Sequence, residues 1–98
     1  MLIDTSIKEN DIVSLKIIGG DEIVCKIVDM AFGAGDEYEV SKPLVVMMAQ
    51  QGFGLAPFIL TAHPDAKIKI RKDAVISMTK TYDGVAKQYL KQTTGLIV

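Results

Sequence analysis

Gly19 and Gly20 separate two alternating apolar runs, and this arrangement constrains the chain more than any other stretch of it. In residues 12–17, Val13, Leu15 and Ile17 fall on one side of a strand, with Ser14 and Lys16 on the other. Two glycines followed by Asp21 supply the tolerance of positive φ that a tight hairpin turn requires. The return run, residues 22–29, groups Ile23, Cys25 and Ile27 on one face. On its other face Val24 and Val28 flank Lys26, so that face is only half polar. The pattern predicts an antiparallel hairpin.

The remainder continues in the same idiom. Residues 31–37, with two glycines, read as a loop. Residues 38–50 form the longest predicted strand, and Pro43 lies inside it. A proline cannot donate to a ladder, so it implies an edge, a bulge or a bend. A sharply bent strand is what a small barrel needs to turn its corner. Residues 50–54 read as a hairpin loop, residues 55–62 as the returning strand, and residues 63–65 as a turn. Beyond them Ile68 and Ile70 point one way, and Lys67, Lys69 and Arg71 the other. A break at Lys72-Asp73 precedes a last strand at residues 74–79. Then the period changes. Val85 with Tyr89 and Ala86 with Leu90 are i, i+4 pairs of a helix, with Thr81 or Asp83 as start cap and Gly95 as end cap. At about ten residues such a helix is marginal alone and must dock. Leu96, Ile97 and Val98 also want a surface.

The expected fold is mainly β: a small, strongly bent, five-stranded antiparallel open barrel with a short C-terminal helix. One domain covers residues 1–98, with its core at about 8–80 and the helix and tail at about 83–98. A chain of 98 residues has room for one core and buries only about two-thirds of its unfolded surface. Yet 49% of it is hydrophobic and 23% charged, with a mean hydropathy of +0.28. Subunits covering one another would account for this surplus. The longest apolar run, residues 44–49, is far short of the roughly 18 residues a membrane span needs. The first residues lack the pattern of a signal peptide, and Cys25 has no partner for an internal disulfide. The expectation is a cytoplasmic protein with no membrane association. A net charge of −1 gives no overall bias toward nucleic acid, so any such binding needs a local basic patch.

The inventory of reactive groups points away from an enzyme. His63 is the only histidine and precedes a proline in a turn, where a solvent-exposed bystander is the simplest reading. No nucleophile–base spacing and no paired Cys/His spacing is present, so neither a metal nor another cofactor is expected. Cys25 lies in an apolar strand and reads as core. Residues 33–35 lack the lysine and helix that follow a phosphate loop. Asp36, Glu37 and Glu39 read as a solvated rim. Lys67, Lys69, Arg71 and Lys72 form a basic run with two readings: a track for phosphates, or lysines guarding an edge strand against stray pairing. Phe32 either stacks on a base or anchors its loop on the core, and Phe53 reads as a hairpin-tip contact, between subunits if they assemble.

Two stretches together resemble a known family. Val13, Leu15, Ile17, Gly20, Glu22, Ile23, Cys25, Ile27 and Met30 follow the first motif of the Sm-like proteins (Sm, LSm and Hfq), and "IRKDAVISM", residues 70–78, follows the second. The matches cover about half the chain in the family's order. The long hairpin at residues 38–62 and the appended helix resemble the divergent branch carried by bacteriophages, which would place the protein in the host cytoplasm. The family's N-terminal helix is missing or reduced to residues 1–9. SH3-like and OB barrels share the hairpin pattern. The resemblance implies a closed homo-oligomeric ring, built by edge-strand pairing near residues 55–62 and 74–79. It also implies single-stranded RNA at the pore, met by Phe32, Lys69, Arg71 and Lys72. The departures matter. The family's loop aspartate and asparagine fall near Ala31 and Gly35, and Lys72 replaces the glycine after Arg71. The alternative is a non-enzymatic assembly or interaction module on the same fold, without RNA binding.

Overall fold

In the computed structural model, which describes residues 2–3, 7–29 and 35–94, the glycine turn closes the hairpin expected of it. Strands β2 (Ile12–Ile17) and β3 (Glu22–Asp29) pair antiparallel, with Val13 opposite Cys25 and Leu15 opposite Ile23. Both glycines adopt φ of 101°, which an L side chain resists. The Ile17 amide then donates to the Asp21 carbonyl at 3.0 Å.

Strand β4 (Glu37–Ala49) runs along the other side of β3 for 13 residues. Its far edge is shared by two strands placed end to end. Residues 44–49 pair with β5 (Gly52–Pro57), and residues 37–41 pair with β6 (Lys67–Arg71). The changeover falls at Lys42-Pro43, where Lys42 takes φ of 50° and Pro43 has no N–H to offer. This is the bend that the internal proline predicted. A 3-10 turn at Lys72–Ala74 leads into β7 (Val75–Lys80), which pairs antiparallel with the free side of β2. Strand β1 (Leu2–Ile3) lies parallel to β7 on its outer edge. The order is β1-β7-β2-β3-β4-β5, with β6 also on β4. The sheet is open, mainly antiparallel, and followed by one helix, α1 (Asp83–Thr94).

Four expectations need correction. The antiparallel strands β2 to β7 number six rather than five, because β4 carries separate partners on either side of its corner. The returning strand ends at Pro57, so residues 58–62 are bends and turns. Its loop shrinks to Gln50-Gln51, since Gly52 at φ of 125° lets the ladder resume at once. Thr81 does not cap the helix: its hydroxyl pairs with Ser14 Oγ at 2.8 Å, and the Tyr82 carbonyl receives the Val85 and Ala86 amides. Gly95 and residues 96–98 lie outside the described residues.

Each face of the sheet has its own apolar cluster. One buries Val13, Leu15, Ile23, Cys25, Ile27, Tyr38, Val40 and Met78, joined by Ile7 from the N-terminal segment. The other packs Val24 and Leu44 beneath Val85 and Tyr89 of α1. The half-polar face of β3 is thereby explained: Val24 sits under the helix. Apolar surplus remains outside, with Met48 83% and Leu60 80% exposed and Ile18, Met47 and Ile76 also in solvent. Among the described residues no helix is long and apolar enough to cross a membrane.

Candidate functional site

Three of the four residues expected to meet nucleic acid fall at one end of the sheet. On β6, Lys67, Lys69 and Arg71 are exposed while Ile70 is buried, so the basic stripe is one-sided as its alternation predicted. Lys72 follows in the 3-10 turn. Phe32 lies outside the described residues.

The register changes the meaning of that stripe. Across the β4–β6 ladder Glu37 stands opposite Arg71, Glu39 opposite Lys69, and Ser41 opposite Lys67. Residues directly opposed in an antiparallel pair share a face, so carboxylates stand beside these cations. Arg71 is engaged more closely still. Its Nε donates to Asp73 Oδ1 at 3.0 Å and its Nη2 to Oδ2 at 2.6 Å, the two-pronged geometry of a guanidinium on a carboxylate. That hydrogen bond, the Asp73 charge, and the charges of Asp36 and Glu37 hold the guanidinium proton more tightly than usual. Arg71 in turn keeps the Asp73 carboxyl below its ordinary range, chiefly through the same hydrogen bond. Lys72 places Nζ 5.3 Å from the centroid of the Tyr38 ring. Lys69 borders a depression of about 210 Å³ shared with Asp29, Asp36, Glu37 and Glu39, four carboxylates against one ammonium. Among the described residues no His, Cys, Asp and Glu group has the arrangement of a metal site.

The second region is the corner of β4. An apolar groove of about 300 Å³ opens there between the corner, the segment after β5 and the end of α1. Pro43, Pro57, Leu60 and Ile68 line it, with Lys42, His63 and Gln92 at its rim. Lys42 Nζ donates to the Thr93 carbonyl at 2.9 Å, and Gln92 Nε2 to the Leu55 carbonyl at 3.1 Å, tying α1 to the corner and to β5. Lys42 was not singled out by the sequence reading. Its position before a proline was the available signal, since that residue has restricted backbone freedom. His63 is exposed, and its Nδ1 accepts the Asp65 amide within its own turn. Cys25 is fully buried, and that burial pushes its thiol from 9.0 to about 12, which leaves no thiolate for chemistry.

The third region is the sheet's margin. Strand β5 ends the strand order, and exposed Met47 and Met48 lie on the strand beside it. The other expected assembly edge, residues 74–79, is not bare: β1 covers β7 at Ser77 and Met78. Phe53, expected at a hairpin tip, is half-buried against the cluster beneath α1.

No protein-family profile matches the chain, and no curated protein matches it.

Proposed function

We propose that the chain is a non-enzymatic, Sm-like assembly subunit that joins copies of itself, edge strand to edge strand, into a closed ring. The observation that carries this is the terminal strand β5, with Met47 and Met48 exposed on the neighbouring strand. A sheet edge next to apolar side chains is a template for another strand, and a head-to-tail contact between unlike edges closes cyclically when the rotation allows. The Sm-like reading is supported by where its two motif stretches lie. One runs along β2 and β3, the other along β6, the 3-10 turn and β7, and pairing of β2 with β7 brings them together. The lone buried thiol accords with a cytoplasmic setting, in the host cell if the gene is a bacteriophage's. Light scattering after size exclusion tests the assembly reading. Met47→Glu/Met48→Glu is expected to shift the wild-type oligomer toward monomer, and an unchanged mass would remove β5 from the interface.

A second reading keeps single-stranded RNA at the pore, with little base specificity. The one-sided exposure of Lys67, Lys69 and Arg71 favours it, and the opposing Glu37 and Glu39 weigh against it. Labelled oligouridine and oligoadenine separate the two. The assembly reading expects no salt-sensitive binding. Salt-sensitive binding that Arg71→Ala/Lys72→Ala abolishes would establish the RNA reading.

A further inference from the structure

The N-terminal strand occupies an edge that the proposed ring would need. Strand β1 is two residues long, and its register, Leu2 with Ser77 and Ile3 with Met78, lies inside the six-residue β7. Among the described residues it is also the one parallel partner in the sheet, the other pairings being antiparallel. So short a parallel pairing makes few hydrogen bonds, each slightly weaker than in an antiparallel ladder. Just downstream the chain is held firmly. Ile7 is only 5% exposed in the main core, and the Asn10 amide donates to the Ile27 carbonyl at 2.7 Å. Firm anchorage of the described chain thus begins at Ile7, while β1 is joined to the edge at two positions.

We infer that β1 is a displaceable guard on the β7 edge, and that β5 of a second copy takes its place on assembly. The replacement is favourable in kind. Strand β5 is six residues long, matching β7, and would pair over more of the edge than the two positions β1 takes, up to Pro57, which has no N–H to offer. It would also bring Met48 toward Ile76, which is 51% exposed beside that edge. While β1 is seated, the monomer's edge is closed to stray strands. Once it lifts, the edge accepts a sister strand. The fraction of time that β1 is away then multiplies the apparent association constant.

This inference rests on the edge-to-edge assembly proposed above, and the test separates the two. Sedimentation velocity over a concentration series compares three forms: the full chain, the chain lacking residues 1–6, and Leu2→Cys/Ser77→Cys with the introduced disulfide pinning β1 to β7. Removal of the guard is expected to lower the assembly midpoint by about tenfold, and pinning to raise it by at least about tenfold until reductant is added. If all three assemble with the same midpoint, β1 guards nothing although the ring stands. If none assembles with or without the guard, the ring itself is wrong and the guard falls with it. Should the shortened chain fail to fold, the oxidised and reduced forms of the pinned chain carry the comparison alone.

Discussion

Tyr89 and Lys42 hold one another across the corner of the sheet. The Tyr89 hydroxyl lies 2.9 Å from the Lys42 carbonyl oxygen and 2.9 Å from that of Ser41, so its proton is shared between two carbonyls left at the bend. The Lys42 ammonium returns to the Thr93 carbonyl at 2.9 Å, in the last turn of α1, where positive charge is favoured. Lys42 pays for this with φ of 50°. Helix and corner thus stabilise each other, and the helix covers Val24 and Leu44, which would otherwise face water.

Tyr89→Phe keeps the ring and removes the shared proton. It is expected to cost about 1–2 kcal/mol, since a half-satisfied carbonyl pair remains. Tyr89→Ala also empties the space over Val24 and should cost about 3–5 kcal/mol. Urea unfolding measures both. A Phe variant as stable as wild type would show that the ring, not the hydroxyl, holds the corner.

Two glycines of one strand should respond differently to alanine. Gly52 sits at φ of 125° with nothing within 4 Å of an added Cβ, so its substitution is opposed by the backbone alone. Gly52→Ala is expected to cost about 1–3 kcal/mol. Gly54 has equal room and no positive φ, and Gly54→Ala should stay within about 0.5 kcal/mol of wild type. Equal midpoints in urea would contradict the two-residue turn.

Alkaline pH should destabilise the fold through buried groups, Cys25 and Tyr89 foremost, with Tyr38 shifted in the same direction by burial. The thiol of Cys25 rises from 9.0 unfolded to about 12 folded, and burial also raises the Tyr89 hydroxyl above its ordinary 10.0. Both are neutral below those unfolded values. Their contribution is therefore complete below pH 9 and is lost progressively above it, as the unfolded chain ionises while the folded one does not. Cys25→Ala should remove the part of the decline that begins near pH 9, as read from urea midpoints across that range. Cys25 should also resist alkylation until the chain unfolds.

The carboxylates around the basic stripe are what should keep nucleic acid away. Glu37→Gln/Glu39→Gln/Asp73→Asn leaves Lys69 and Arg71 in place and removes three of their negative neighbours. This variant is expected to bind single-stranded oligonucleotides more tightly than the wild type and in a salt-sensitive way, measured by fluorescence anisotropy. Strong binding by the wild type, undiminished by Arg71→Ala, would contradict the role assigned to the stripe.

Much of this architecture was legible in the residues. Gly19-Gly20 announced the first hairpin, Pro43 announced the bend, and the i, i+4 pairs around Tyr89 announced the helix. Each rests on a local backbone rule that neighbouring residues cannot override. What was hidden depends on register. That Glu37 and Glu39 oppose Arg71 and Lys69 follows from pairing across about thirty intervening residues, which no local period encodes. The end of the second hairpin strand was misplaced because residues 58–62 are as apolar as a strand, whereas pairing stops at Pro57. The pairing of β1 with β7 was missed for a related reason: two residues carry no period at all.

The mass of the native particle tests the central claim most directly. Sedimentation equilibrium at micromolar concentration should return one mass that is a multiple of 10.7 kDa by a whole number greater than one, with no larger open series. A single species at 10.7 kDa that persists as concentration rises would contradict the ring, and with it the purpose assigned to the β5 and β7 edges.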